Sequence, residues 1–175
     1  LNGLRSVIVV GTKLIAVDTA NCRVLIWNSI PSSINTPANV VIGQTDMNSA
    51  QVGDGGDVVG ATASSQNVPY AVASDGTKLF IADTGAGRVL IYNTIPTANG
   101  VAANVVVGQP TFTNYVEGTT QTKMFGPRDV HVAQGEVRVL SADGDALAVH
   151  LDLEGRLVGH LDEQARRHAD RYAST

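Results

Sequence analysis

One stretch of this sequence occurs twice. Residues 11–31 read GTKLIAVDTANCRVLIWNSIP and residues 76–96 read GTKLFIADTGAGRVLIYNTIP, identical at 13 of 21 positions with an offset of 65 residues. The same offset relates ANVVIGQ at 38–44 to ANVVVGQ at 103–109. An offset kept over about 34 residues indicates duplication of a whole structural unit rather than a chance similarity. The chain is therefore predicted to consist of repeats.

Each repeat reads as four short strands joined by turns. Runs of four to seven residues rich in Val, Ile, Leu and aromatic side chains favour strands, and Asp-Gly, Gly-rich and Pro-containing segments separate them. The predicted strands of the first repeat are 6–10, 13–18, 23–28 and 38–44, and those of the second are 69–74, 78–83, 88–93 and 103–109. Each repeat is thus expected to form an antiparallel meander.

A third, diverged repeat follows. Pro127 aligns with Pro69, and Asp143 falls on the position of Asp83 and Asp18. Its predicted strands are 128–132, 136–143, 146–152 and 155–161. The three repeats therefore span approximately 1–65, 66–124 and 125–161.

A four-stranded meander cannot bury both of its faces alone. Repeated copies bury them by stacking face to face, and because sheets twist, the stack closes radially into a β-propeller. The fold class is accordingly predicted to be all-β, with about three propeller blades forming an arc over residues 1–161. Apolar residues at helical spacing predict a short C-terminal helix over 162–175; they are Leu161, Ala165, Ala169 and Tyr172.

Composition limits the classes of function. The net charge of −4 argues against a nucleic-acid partner, since phosphate binding needs a concentrated basic face. The sequence contains no apolar run of about 18 residues, so no membrane span is expected. The single cysteine, Cys22, excludes an internal disulfide. Few Lys and many Asn, Thr and Ser residues in the first part favour an exported bacterial protein, extracellular or periplasmic.

Charge is unevenly distributed along the chain. Residues 1–125 carry 13 charged groups, and residues 126–175 carry 15 in less than half that length. All three Lys lie in the first part and all four His in the second. The shift, at 124–126, marks either a junction between segments of different origin or drift within one domain. A recombined or engineered propeller fragment without selected activity is therefore one of the alternatives.

The segment VPYAVASDGTKLFIADTGAGRVLIYN resembles a blade of the NHL-repeat family, of the bacterial and environmental type. The matching residues are Pro69, Val72, Ala82-Asp83-Thr84, Gly87 and Arg88-Val89. In the first repeat Asp18-Thr19, Asn21 and Arg23-Val24 match, but Leu4 replaces the usual Pro. The resemblance is close over 1–112 and weak over 126–161, and it implies a propeller fold.

The repeated Asp and Arg are interpreted as structural rather than catalytic. Asp18 and Asp83 end the second strand of their repeats, where a carboxylate can accept backbone N–H bonds in the following turn. Arg23 and Arg88 stand five residues later, within reach of that carboxylate or of a neighbouring blade. Asp143 is assigned the same structural position in the third repeat, where no Arg follows in the turn.

Two metal sites are weighed and not adopted. The loop that carries Asp46, Asn48, Asp54 and Asp57 offers oxygen ligands of the kind Ca²⁺ prefers, but not at the spacing of a twelve-residue calcium loop. The four histidines would have to converge on one point to bind zinc; they are His131, His150, His160 and His168. No catalytic, cofactor-binding or metal residue is therefore assigned, and no cofactor is expected.

The function favoured by these features is a non-enzymatic scaffold that presents loops to a protein or glycan. The alternative is a metal-dependent lyase or hydrolase of the NHL-propeller type, although the first two repeats contain no His. Propellers typically close with four to eight blades, so three blades leave an open arc. Head-to-tail self-association of two chains into a six-bladed ring is the expected solution.

Overall fold

The computed structural model describes residues 1–50, 60–116, 118, 123–133, 136–142, 146–151 and 157–160; for the last two ranges it describes the backbone alone. These residues form three four-stranded sheets, each antiparallel and each in sequence order. The predicted C-terminal helix over 162–175 and the position of Asp143 lie outside the described residues, as do Asp54 and Asp57.

Sheet 1 contains four strands, which are β1 (Leu4–Val10), β2 (Lys13–Asp18), β3 (Arg23–Trp27) and β4 (Val40–Ile42). Its strands pair in the order β1-β2-β3-β4. The fourth strand is only 3 residues long where the sequence predicted seven, because Gly43 leaves the extended conformation with φ of +88°.

Sheet 2 repeats sheet 1 with β5 (Pro69–Ser74), β6 (Leu79–Asp83), β7 (Arg88–Tyr92) and β8 (Val105–Val107). The register is also repeated: Val72 faces Ile81 as Val7 faces Ala16, and Asp83 faces Arg88 as Asp18 faces Arg23. The duplication in sequence is therefore a duplication in structure.

Sheet 3 is built from β9 (Pro127–Ala133), β10 (Glu136–Ser141), β11 (Ala146–Leu151) and β12 (Leu157–His160). The four predicted strands of the diverged repeat are present, with ends shifted by one or two residues. Met124, where the composition changes, is buried in the cluster between sheets 2 and 3. Its backbone N–H donates to Gly108 O at 3.1 Å, and its side chain lies in one cluster with Val130 and Val139, so sheets 2 and 3 are packed together at that point.

The sheets stack face to face through alternating side chains. Side chains of successive strand residues point to opposite faces, so each central strand supplies two apolar surfaces. One face of sheet 2 packs against sheet 1 around Ile81, Leu90, Ile15 and Ile26. The other face packs against sheet 3 around Phe80 and its neighbours.

The first strands of the sheets lie together at one side of the stack. Strand β5 contacts both β1 and β9, so the three first strands are neighbours and the later strands extend outward. This is the radial arrangement that the sequence predicted for a propeller, with the first strand of each sheet nearest the common axis.

Candidate functional site

An ion pair stands at the turn between the second and third strands of sheet 2. Arg88 Nε donates to Asp83 Oδ2 at 2.7 Å, and both side chains are fully buried. The rest of the guanidinium donates to two backbone carbonyls, Phe112 O at 2.5 Å and Ser65 O at 3.0 Å. Complete burial raises the pKa of Asp83, although Arg88 and the Asn67 N–H oppose the rise. Nε, Nη1 and Nη2 of Arg88 therefore all donate to groups of the protein itself.

Sheet 1 contains the equivalent pair with a more open arginine. Arg23 Nε donates to Asp18 Oδ2 at 2.7 Å, and Arg23 Nη1 donates to Met47 O at 2.6 Å. Burial by itself would raise the pKa of Asp18, but hydrogen bonds from Asn2, Asn21 and Arg23 outweigh it and hold the pKa below its usual 3.8. Arg23 is 13% exposed, compared with 0% for Arg88. Both aspartates are fully buried, so the two pairs differ mainly in the burial of the arginine.

Each carboxylate pairs with the arginine five residues later, as the spacing allowed, but its backbone donor is not in the following turn. Backbone N–H donors come from Asn2 for Asp18 and from Asn67 for Asp83, each 16 residues upstream, and not from the following turn. That turn is a 3₁₀ turn whose own backbone closes it, with Cys22 N–H donating to Thr19 O at 3.0 Å. The carboxylate is consequently left to hold the segment that leads into the first strand.

A Gly-Gln pair after each fourth strand closes the same turn from the other side. Gln44 Nε2 donates to Asn21 O and Cys22 O at 3.2 Å each, and Gln109 Nε2 donates in the same way to Ala86 O and Gly87 O. The repetition of this motif is visible in the sequence, but its role is not. It explains why VVIGQ returns as VVVGQ: the glutamine fastens the fourth strand to the turn between the second and third.

Threonine hydroxyls connect each sheet to the next. Thr19 Oγ1 donates to Pro69 O at 2.7 Å, and Thr84 Oγ1 donates to Pro127 O. Each threonine follows the aspartate of its own sheet, and each acceptor begins the first strand of the following sheet. In each Asp-Thr dipeptide the aspartate therefore forms an ion pair within its sheet, and the threonine forms a hydrogen bond to the next sheet.

Two arginines flank one aromatic ring where the first strands begin. Arg5 Cζ lies 4.8 Å from the centroid of the Tyr70 ring, and Arg128 Cζ lies 5.9 Å from it. These cation–π contacts bring together β1, β5 and β9 at equivalent positions, the second residue of each strand. Within the described residues neither arginine forms an ion pair. We call Arg5, Tyr70 and Arg128 the axial cluster.

The axial cluster was missed at the level of sequence, although a signal was present. The offset of 65 residues places Arg5 on Tyr70, and the alignment of Pro127 with Pro69 places Arg128 on Tyr70 as well. Equivalent positions on neighbouring first strands of a propeller must meet at the axis. The three aligned residues differ in type, so they do not form a repeated motif that identity between the repeats would reveal.

The metal-ligand candidates are distributed as follows. Asp46 is exposed, and its Oδ1 accepts the N–H groups of Asn48 and Ser49 at 2.8 Å each, which lowers the pKa of Asp46. His131 is exposed on β9, His150 and His160 are on β11 and β12, and His168 is outside the described residues. In the part of the chain that the structure describes, no three His, Cys, Asp or Glu side chains come together as metal ligands.

Cys22 occupies the left-handed position that closes the turn before β3, with φ of +50°. Its thiol is buried, and its sulfur accepts the N–H of Val68 at 3.4 Å. In sheet 2 the equivalent residue is Gly87, at φ of +56°. The cysteine thus contributes to packing between sheet 1 and the entry to sheet 2.

Comparisons with known proteins identify the fold. No family model and no curated protein matches the chain. Among solved structures, the WD40 β-propeller domain of Doa1 matches with a TM-score of 0.52 and 15% identity, over 90% of this chain and 40% of that one. A putative 6-phosphogluconolactonase from Bacteroides uniformis matches with a TM-score of 0.53 and 18% identity, over 89% of this chain and 40% of that one.

These likenesses show that the stacked sheets have the β-propeller fold. At such identities they carry the fold alone. The chain spans about 40% of the length of each of these structures. Among the described residues no helix is both long enough and apolar enough to cross a membrane.

Proposed function

We propose that this chain is a non-enzymatic β-propeller scaffold of NHL-like blades that binds a carboxylate-bearing ligand at its axial cluster. The NHL-like character is supported by the repeated Asp-Thr turn followed by Arg-Val. The observation that carries the proposal is that the arginines fall into two groups, buried and exposed. Arg88 is buried and bonded within its sheet, whereas Arg5 and Arg128 are exposed around an aromatic ring.

The chemistry of the axial cluster selects the ligand class. A guanidinium presents parallel N–H donors that match a carboxylate, and a tyrosine offers an apolar ring with a polar tip. Asp129, the residue after Arg128, is also exposed, so the surface around the cluster is not uniformly cationic. A ligand with spaced carboxylates on a chain that can lie over an aromatic ring fits this arrangement, as an acidic glycan or an acidic protein segment does.

The test is equilibrium binding to carboxylate polymers of two backbones. Polygalacturonate and poly-L-glutamate present the same charge on sugar and peptide chains, and dextran is the neutral control. The double variant R5Q/R128Q is expected to bind at least about tenfold more weakly, and binding by the unchanged protein is expected to weaken as salt is added. The matched control is Arg138→Gln, which removes an exposed arginine 67% open to solvent on another surface.

The outcomes separate the sources of ligand. Preference for polygalacturonate assigns a glycan, and preference for poly-L-glutamate assigns a protein segment. Binding no stronger than to dextran, or equal losses in R138Q and R5Q/R128Q, would contradict the proposal. A stoichiometric Zn²⁺ or Ca²⁺ content by mass spectrometry would favour the metal-dependent lyase or hydrolase instead.

An arc of three blades is proposed to need a partner that completes its ring. A second copy of the chain, joined head to tail, is the source that the sequence analysis expected. Such a ring would place sheet 3 of one copy against sheet 1 of the other. Charged side chains, Asp129, Glu136 and Arg138, lie on the face of sheet 3 that points away from sheet 2, and they favour a different partner for sheet 1.

A further inference from the structure

The offset of 65 residues defines which face of sheet 1 should contact a preceding sheet. In sheet 2 the side chains that pack against sheet 1 include Val72, Ile81, Leu90 and Tyr92. Their equivalents define a surface that we call the front face of sheet 1; it consists of Val7, Leu14, Ala16, Leu25, Trp27 and Val41. Every one of these residues is apolar, as in sheet 2.

The front face is covered on its outer strands and open on its first strand. Ala16, Leu25, Trp27 and Val41 are buried, and Met47 packs against them. Val7, on β1, is 54% exposed, whereas its equivalent Val72 is 4% exposed beneath sheet 1. Strand β1 therefore lacks the cover that the first strand of sheet 2 receives.

Met47, in the segment that covers the outer strands of the front face, has a counterpart in sheet 2. Met47 is the equivalent of Phe112, and both carbonyls accept a hydrogen bond from the arginine of their sheet. Phe112 packs at the edge of the interface between sheets 1 and 2 while that interface is filled. Met47 can hold the same place beside a sheet that packs on the front face.

Leu4 holds the position at which a preceding sheet would be linked. Its equivalents Pro69 and Pro127 are buried, and their carbonyls accept the threonine hydroxyls of the preceding sheet. Leu4 begins β1 and is 51% exposed. A preceding sheet with an Asp-Thr turn would bring its hydroxyl to this residue.

The free face of sheet 3 does not suit the front face of a second copy. On β9 and β10, the side chains that point away from sheet 2 include Asp129, His131, Glu136 and Arg138. Arg138, whose side chain is 67% exposed, forms an ion pair with Glu136 at 3.2 Å. Packing these polar side chains against valine and leucine would remove their hydration, and the front face offers no polar group in exchange. The sequence also has Gly144, not Thr, after the aligned Asp143.

We propose that the front face of sheet 1 binds a further blade of this same repeat type, one with an apolar second face and an Asp-Thr turn, and not sheet 3 of a second copy. The proposal concerns the sheet 1 end of the stack, where β1 is open. The chain covers 40% of the WD40 β-propeller domain of Doa1, so that solved chain is longer than the part matched here. This inference depends on the fold and not on the axial ligand.

The test adds the missing blade with its natural spacing. A copy of residues 1–65 is fused ahead of residue 1 of the full chain, so that the added sheet reaches β1 through the connection that joins sheets 1 and 2. The Val7→Lys substitution is then made in the original β1, both in the fusion and in the unfused chain. The urea midpoint and the solution mass are measured for all four proteins.

The proposal expects V7K to leave the midpoint of the unfused chain unchanged, because Val7 is exposed there, and to lower the midpoint of the fusion, where the lysine would face the added sheet. The unfused chain is expected to sediment at 18.2 kDa across concentrations. Equal effects of V7K in both backgrounds, an added segment that stays unfolded by circular dichroism, or an unfused dimer that V7K and R138Q both dissociate would each overturn the proposal.

Discussion

Removal of the buried arginine of sheet 2 should be among the most damaging single changes in the chain. Arg88→Met keeps a long unbranched side chain but leaves Asp83 buried with no countercharge, and it also removes the donors to Phe112 O and Ser65 O. Breaking a buried ion pair by removing one partner costs about 3–5 kcal/mol. A whole domain is stable by only about 5–15 kcal/mol. R88M is therefore expected to lose a large part of the total.

The equivalent change in sheet 1 provides a matched control. Arg23→Met removes the equivalent contacts from an arginine that is 13% exposed, and the remaining carboxylate of Asp18 keeps two donors, the Asn2 N–H and Asn21 Nδ2. We expect it to cost about 1–3 kcal/mol. The double variant R88M/D83N should recover at least about 1 kcal/mol relative to R88M, since it removes the stranded charge and keeps an acceptor for the Asn67 N–H.

The assay is equilibrium urea unfolding followed by far-UV circular dichroism, with the m-value used to check that the transition stays cooperative. A loss below about 1 kcal/mol in R88M, well under the range for a broken buried pair, would refute the reasoning. Equal losses in R88M and R23M would refute it as well, because the expected difference comes from the burial of the arginine and from the donors that each carboxylate keeps.

Three further predictions concern the links between elements. Thr84→Val should cost about 1 kcal/mol in urea unfolding, because the carbonyl of Pro127 loses its donor from sheet 2. Gly108→Ala should cost about 2–5 kcal/mol, since φ is +87° and the new Cβ would lie 2.6 Å from a side-chain carbon; Gly76→Ala, at φ of +98° with open space, should cost only about 1–2 kcal/mol. Because the pKa of Asp18 is held below 3.8 in the folded chain, the stabilisation by its carboxylate is complete above pH 3.8 and is lost as the pH falls through the lowered pKa. Asp18→Asn should therefore make the urea midpoint depend less on pH in acid.

The positions of the strands could be predicted from the sequence because the signals for them are local. Turn formers bracket each apolar run, and the duplicated text fixes the register of the second repeat from the first. Strands β4 and β8 were overextended in prediction because the glycine of the Gly-Gln pair looked like a strand residue. Each of these glycines has a positive φ, and an added Cβ would lie 2.7 Å from Gln66 at Gly43 and 2.6 Å from Met124 at Gly108, which no local pattern reveals.

The hydrogen bonds that hold the site together were less accessible to sequence reasoning. The ion pairs follow from a spacing of five residues across a tight turn. The N–H donors to Asp18 and Asp83 come from 16 residues upstream, and the threonine bonds run to another sheet. These contacts depend on how strands and sheets are placed in space, so they became visible only with the structure.

The direct test of the stacked arrangement is the pattern of methyl–methyl nuclear Overhauser effects in the isolated chain. The account predicts contacts between the isoleucine methyls of β2 and β3 and those of β6, and between Ile91 of β7 and the valines of β9 and β10, with none between Ile26 and Val139. Methyl contacts that join β2 or β3 to sheet 3, or an absence of contacts between sheets 1 and 2, would contradict it.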